Sequence, residues 1–176
     1  STAYAILAYR TAWLKTHYSS EFLASTLTTE INDTKRVVSL INEARLLKLN
    51  VLAPDVNSSK PDFHAIDKKS ISYGISAIKN VGYKASSAIY ENLKKEKKYN
   101  SIYSLCKSVS NKVLNKKVLE SLIVSGACDS LEGNRAQKYN SIDKAITFGQ
   151  NFNNQGAKNQ ESLFSNDEKI IIEPGL

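Results

Sequence analysis

The residues best placed to do chemistry are Lys79, Asn80, Val81, Gly82 and Lys84, inside the stretch ISAIKNVGYKASSAI from Ile75 to Ile89. Asn and Gly enter left-handed backbone at least cost, so a sharp reversal over Asn80, Val81 and Gly82 needs no strain. A reversal that opens a helix leaves the first amides without intrahelical partners and pointing outward. Such amides hold an anion, and Lys79 and Lys84 add ammonium groups on either side. The predicted chemistry is retention of a nucleic-acid phosphate by a helix-hairpin-helix element. A plain helix-to-helix connection with solvated lysines is the competing reading of the same residues. A second candidate lies in SNKVLNKKVLESLIVSG, where Asn115 can cap a helix and Lys112, Lys116 and Lys117 crowd its start. Positive charge at that end opposes the helix dipole and favours a docked anion, although exposed lysines often need no reason.

These candidates must be positioned by short helices. STAYAILAYRTAWLKTHY is apolar at Ile6, Leu7, Trp13 and Leu14 and contains no helix breaker; it starts without a methionine or an evident cap, which suggests sequence upstream. Ser19 and Ser20, with Glu21 after them, are expected to start a second helix through Phe22, Leu23 and Leu27. Asp33 is expected to cap a third, with Val37, Val38, Leu40, Ile41, Ala44 and Leu47 on one face. Pro54 and Pro61 bracket a turn-rich loop that reads as a module boundary. Phe63 to Ile66 and Ile71 to Ile75 read as two short strands around a polar turn. The helix after Gly82 should run into Lys94, Lys95, Lys97 and Lys98, and Gly126 should close the helix begun at Asn115. A last helix is expected from about Asn134 to Phe148, followed by the polar run GQNFNNQGAKNQ, a flexible linker by composition. Leu163 and Phe164 in QESLF cannot bury themselves locally, so they invite docking on the domain or capture by a partner.

Of the 176 residues 41% are hydrophobic, enough for a core in one or two small domains. The net charge of +7 is unevenly spread. Residues 1–67 balance, with seven basic and seven acidic side chains, whereas 68–118 hold twelve lysines against Glu91 and Glu96, a net of +10. That block coincides with both candidate anion sites and is the footprint of a polyanion-binding surface; a solvated lysine face is the alternative. No apolar run can span a bilayer and no secretory signal opens the chain, so a cytoplasmic location is expected. Cys106 and Cys128 lack neighbouring ligands and read as small buried apolar groups, and His17 and His64 are isolated; no metal site is expected.

Taken in order, AYAILAYRTAWLKTHYSSEFLASTL, VVSLINEARLLKLNVLAPDVNSS, ISYGISAIKNVGYKASSAI and LNKKVLESLIVSGACDSL followed by NRA resemble the bacterial replicative DNA polymerase III alpha subunit. The resemblance covers nearly the whole chain to about Phe164. It implies a mainly α protein: a helical bundle segment, a small β-hairpin, a tandem helix-hairpin-helix domain and a flexible C-terminal tail. In these terms residues 1–53 are the end of a fingers-like helical domain and 54–74 a loop and hairpin connector. Residues 75–149 are the duplex-DNA-binding domain and 150–176 a linker. The implied DNA-binding residues are Lys79, Asn80, Val81, Gly82, Lys84, Lys112, Asn115, Lys116 and Lys117. Gln160, Ser162, Leu163 and Phe164 match the family's sliding-clamp-binding motif. The remaining implied partners are the rest of the polymerase chain and its holoenzyme.

Asn80 departs from the family, which usually has Gly at the first bend position. A polymerase also needs clustered carboxylates for two metal ions, and no Asp-x-Asp pair is present. The parent enzyme's magnesium is therefore expected to be held elsewhere, and this segment to be a binding module, inactive alone. A tandem-hairpin DNA repair factor and a helical interaction module without DNA binding are the alternatives.

Overall fold

The computed structural model describes residues 2–161. Its helices are α1 (Thr2–His17), α2 (Ser19–Thr29), α3 (Thr34–Leu46), α4 (Tyr83–Glu96), α5 (Ile102–Ser108), α6 (Lys116–Val124), α7 (Arg135–Asn140) and α8 (Ile142–Glu161). Three short strands, β1 (Asn50–Leu52), β2 (His64–Asp67) and β3 (Ser70–Ser72), lie between α3 and α4. The mainly α expectation with a small β-hairpin holds.

Two apolar cores organise these elements. Leu23, Ala24 and Leu27 of α2 and Val37, Leu40 and Ala44 of α3 recur at helical spacing and close on one another, together with Leu49, Phe63 and Ile71. The second core takes Ile75, Ile78, Val81, Ala85, Ile89 and Leu93 from the stretch around Gly82, then Tyr103, Leu105, Leu119, Leu122, Ile142 and Ala145 from the later helices. Tyr73 packs against both. No residue of α1 is buried, and its Tyr4, Leu7 and Tyr9 stand exposed.

The predicted hairpin forms: β2 and β3 pair antiparallel, with a register shift between Ala65 and Asp67. β1 is an addition, pairing parallel to β3 with Val51 opposite Ile71, so the sheet order is β1-β3-β2. Three residues between a helix end and Pro54 are too few to show alternation, and the partner strand lies some twenty residues on, so no local pattern announces it.

Side-chain caps begin α3, α5, α6 and α7. Asp33 Oδ1 accepts from the Arg36 amide at 3.1 Å, as expected, and Asn115 Oδ1 accepts from Val118 at the same distance. Ser19 is not a cap: its hydroxyl donates to the Lys15 carbonyl at 2.7 Å, while the Tyr18 amide bonds Leu14 and the Phe22 amide bonds Tyr18, carrying α1 almost directly into α2. Ser20 turns inward and bonds Glu21 instead. The last predicted helix is two. Asn134 and Gln137 form a capping box for α7, which breaks at Ser141 before α8 begins.

The flexible linker expected from residue 150 is corrected by α8, which continues through Glu161. Its polar sequence is held by packing near its middle. Phe148 meets Tyr103 edge-on with ring centroids 5.8 Å apart, and the Lys107 ammonium lies 4.3 Å from the Phe152 ring. Between those aromatics Gly149 is pressed against the Cys106 carbonyl so closely that no side chain would fit.

Candidate nucleic-acid interface

The first hairpin is tighter than two α-helices across a bend. Its leading arm is a single 3₁₀ turn, Ile75–Ala77, and Asn80 alone takes the left-handed conformation, at φ +67°. Asn80 therefore makes the reversal itself, and its short polar side chain lets it. Gly82 has φ −72° and ψ 165°, extended backbone that serves as the N-cap of α4. A Cβ built on Gly82 would meet nothing within 4 Å, so the start of α4 faces open space.

Val81 corrects the predicted site. Its side chain is 1% exposed within the second core and its amide donates to Ile78 at 2.9 Å, so it anchors the turn and offers nothing outward. Among the described residues no partner takes the amides of Gly82, Tyr83 or Lys84, whereas those of Ala85 and Ser86 bond the Gly82 carbonyl. The free amides sit between Lys79 and Lys84, both exposed and neither paired with a carboxylate among the described residues. Tyr83, which carries no signal of its own in the sequence, is 61% exposed in the first turn of α4, beside those amides.

The second candidate forms between α5 and α6, where the Val113 and Leu114 amides bond the Ser110 carbonyl and Asn115 caps α6. Lys112 and Lys117 are exposed and unpaired with any described carboxylate. Lys116 is not available in the same way. Its ammonium grips both oxygens of Asp143 at 2.8 and 2.9 Å, and this pairing holds the lysine pKa above its ordinary value. The like charge at the start of α6 is thus balanced by a carboxylate of α8. Nothing in the local sequence points to Asp143, which lies 27 residues away.

The two elements meet. The Asn80 side-chain amide donates to the Ser121 hydroxyl at 3.0 Å, and Ser121 lies one turn after Lys117, whose carbonyl it bonds. Arg135 and Asp129 form a bidentate pair at 2.5 and 2.8 Å beyond the end of α6, which lowers the Asp129 pKa. Cys106 and Cys128 are free and buried, and burial pushes both thiols up to about 12. Among the described residues no group of three carboxylate, thiol or imidazole side chains converges where a metal could be held. Of the predicted clamp-binding residues, Gln160 falls in the last turn of α8, and Ser162, Leu163 and Phe164 lie outside the described residues.

A 3₁₀ turn reversing through a left-handed residue into an amide-presenting helix, followed by an Asn-capped turn from α5 into α6, is the geometry of a helix-hairpin-helix protein. Residues 48–138 match the helix-hairpin-helix motif family, and the chain belongs to it. Over nearly its whole length it is similar to DNA polymerase III subunit alpha: 38% identical to that of Vibrio cholerae over 164 residues and 35% to that of Buchnera aphidicola subsp. Acyrthosiphon pisum over 164 residues, each alignment taking in 93% of this chain and 14% of the relative. The Escherichia coli K12 subunit is 42% identical over 146 residues, 83% of this chain and 13% of the relative. The resemblance in the sequence is borne out, and the chain spans about one seventh of the length of these curated relatives.

Proposed function

We propose that this chain is the part of a bacterial replicative DNA polymerase that grips duplex DNA without regard to sequence. The observation that carries the reading is the unpartnered amides of Gly82, Tyr83 and Lys84 facing open space between two unpaired lysines. Backbone amides and ammonium groups recognise phosphate and carry no base information, so the contact tolerates any sequence. Lys112 and Lys117 extend the surface to a second phosphate track; Asn115 shapes it as a cap, and Lys116 contributes less because Asp143 holds it. Four lysines neutralising four phosphates give log affinity a slope against log salt of roughly −3 to −4. Titrating a duplex in rising salt tests this: a slope near zero, or binding unchanged by Lys79→Glu with Lys84→Glu, refutes it.

The whole protein would then carry out template-directed DNA synthesis in the cytoplasm, with magnesium held by carboxylates outside this segment and the remaining polymerase chain and holoenzyme as partners. Primer extension by this chain alone should give no product. Gln160, Ser162, Leu163 and Phe164 would bind the sliding clamp, with the two apolar side chains filling a pocket. Such anchors carry about 2 kcal/mol or more each, so Leu163→Ala with Phe164→Ala should weaken clamp binding roughly a thousandfold and leave duplex binding intact. Undiminished clamp binding would remove these residues from the site.

A further inference from the structure

Beside the first hairpin turn, on the flank that carries Lys79 and Asn80, lies a cleft of about 650 Å³ that the phosphate-binding reading does not use. Its walls include Tyr73, Lys79, Glu120, Ser121, Val124 and Tyr139. Its size is that of a small-ligand site. Val124 is 66% exposed and Tyr139 47% exposed, so two largely apolar surfaces stand open to solvent in a cleft whose wall carries Lys79. Glu120 has no ion-pair partner among the described residues, and its carboxylate would repel a phosphate entering the cleft. The occupant therefore needs an apolar face, N–H groups for the carboxylate, and an attachment that keeps its negative charge at the rim beside Lys79. A nucleobase on a sugar-phosphate strand meets all three requirements, since every base has a face that stacks on an aromatic ring.

We infer that this cleft receives one unpaired nucleobase from a strand whose phosphate is held at the Asn80 turn. Lys79 and Asn80 belong to both sites, so the base and its phosphate are read by one continuous surface. The inference rests on the DNA-binding reading above and adds to it a preference for duplexes that carry an unpaired nucleotide. A base inside a perfect duplex is stacked and paired and cannot enter; a bulged or overhanging one costs little to turn out.

The test compares a blunt duplex with the same duplex carrying a single unpaired 2-aminopurine, each titrated into the whole chain at fixed salt. The unpaired duplex should bind about tenfold tighter, from stacking on Tyr139, and the 2-aminopurine fluorescence should change on binding. Tyr139→Ala should abolish the preference and the fluorescence change while blunt-duplex affinity stays within about twofold. Val124→Glu, on an exposed position, should act the same way and guards against a folding defect in the first variant. Equal affinity of the unchanged protein for the two duplexes, or a preference that survives both substitutions, overturns the base site while leaving the duplex grip standing. Failure of the blunt duplex to bind overturns the DNA reading itself and this inference with it.

Discussion

Replacing Gly149 by Ala asks whether α8 continues as a packed helix past the point where composition places a linker. A Cβ at this position would collide with the Cys106 carbonyl oxygen and lie 2.8 Å from its carbon and 3.2 Å from the Cys106 Cβ. Ordinary contact begins near 3.4 Å, so α8 and α5 would have to separate by about 1 Å, loosening the Phe148–Tyr103 contact beside it. The obstacle is backbone on a buried helix and cannot rotate aside. Overpacking of this kind costs about 1–3 kcal/mol, and the upper part of that range applies here. Against it stands the helix propensity of Ala over Gly, close to 1 kcal/mol in the stabilising direction. The net is a loss of about 1–2 kcal/mol, which lowers Tm by roughly 2–8 °C for a chain of this size. Asn151→Ala, two residues on and exposed, feels the propensity without the collision and should raise stability by about 0.5 kcal/mol. Thermal melts followed by far-ultraviolet circular dichroism read both. A Gly149→Ala protein as stable as the parent, or more so, would mean that α8 does not lie on Cys106 and that residue 149 is the hinge of a linker.

Asn80 sits at φ +67° and bonds Ser121, so Asn80→Ala should cost about 1–2 kcal/mol in the melt through left-handed strain, while Asn80→Gly should stay within about 0.5 kcal/mol; equal losses would refute the conformational argument. Lys117→Ala should reduce the salt slope of duplex binding by about 1, and Lys116→Ala by less than half as much, because Asp143 already neutralises it; indistinguishable slopes would contradict this. Burial lowers the His64 pKa, and Lys60 repulsion adds to that. The fold thus favours the neutral ring: its contribution is complete above the unfolded value near 6.5 and is lost as pH falls through the lower folded value. Urea midpoints measured from about pH 7.5 down to 5 should fall in the parent and fall less in His64→Gln; parallel curves would exclude His64 as the cause.

The features legible in the sequence are those encoded within a few residues. Asp33, Asn115, the apolar spacing of α6 and most of that of α3 act through contacts one turn away, so their readings carry over to the structure; Val38 and Leu47, read onto the same face of α3, instead stand 52% and 42% exposed. Asn80 is legible too, because a left-handed turn depends on the residue's own side chain. What escaped depends on distant partners. β1 exists because β3 lies alongside it, Lys116 is neutralised by Asp143, and the later turns of α8 persist because Cys106 and Tyr103 receive its middle. Val81 shows the limit in the other direction: it lies within the motif's contiguous residues, yet its side chain fills the core while its neighbours face out. Ser19 has the residue type of a cap, but its hydroxyl finds the previous turn's carbonyl first.

The path of the chain between Leu52 and Ile75 has a consequence for how this protein could be rearranged. β1 belongs to the sheet over the first core; four residues later Val56 is fully buried in the second core, where its amide donates to Ala127 at 2.8 Å. The chain then returns to place Phe63, β2 and β3 against the first core before leaving again at Ile75. It is laced like a boot, each crossing tying one side to the other. A recombination breakpoint at Pro54, where proline and turn residues invite one, would strand Phe63 and Ile71 with the wrong half and leave Val51 without its strand partner. Exchanges between related proteins in this region should therefore survive only when residues from β1 through β3 travel together with α2 and α3.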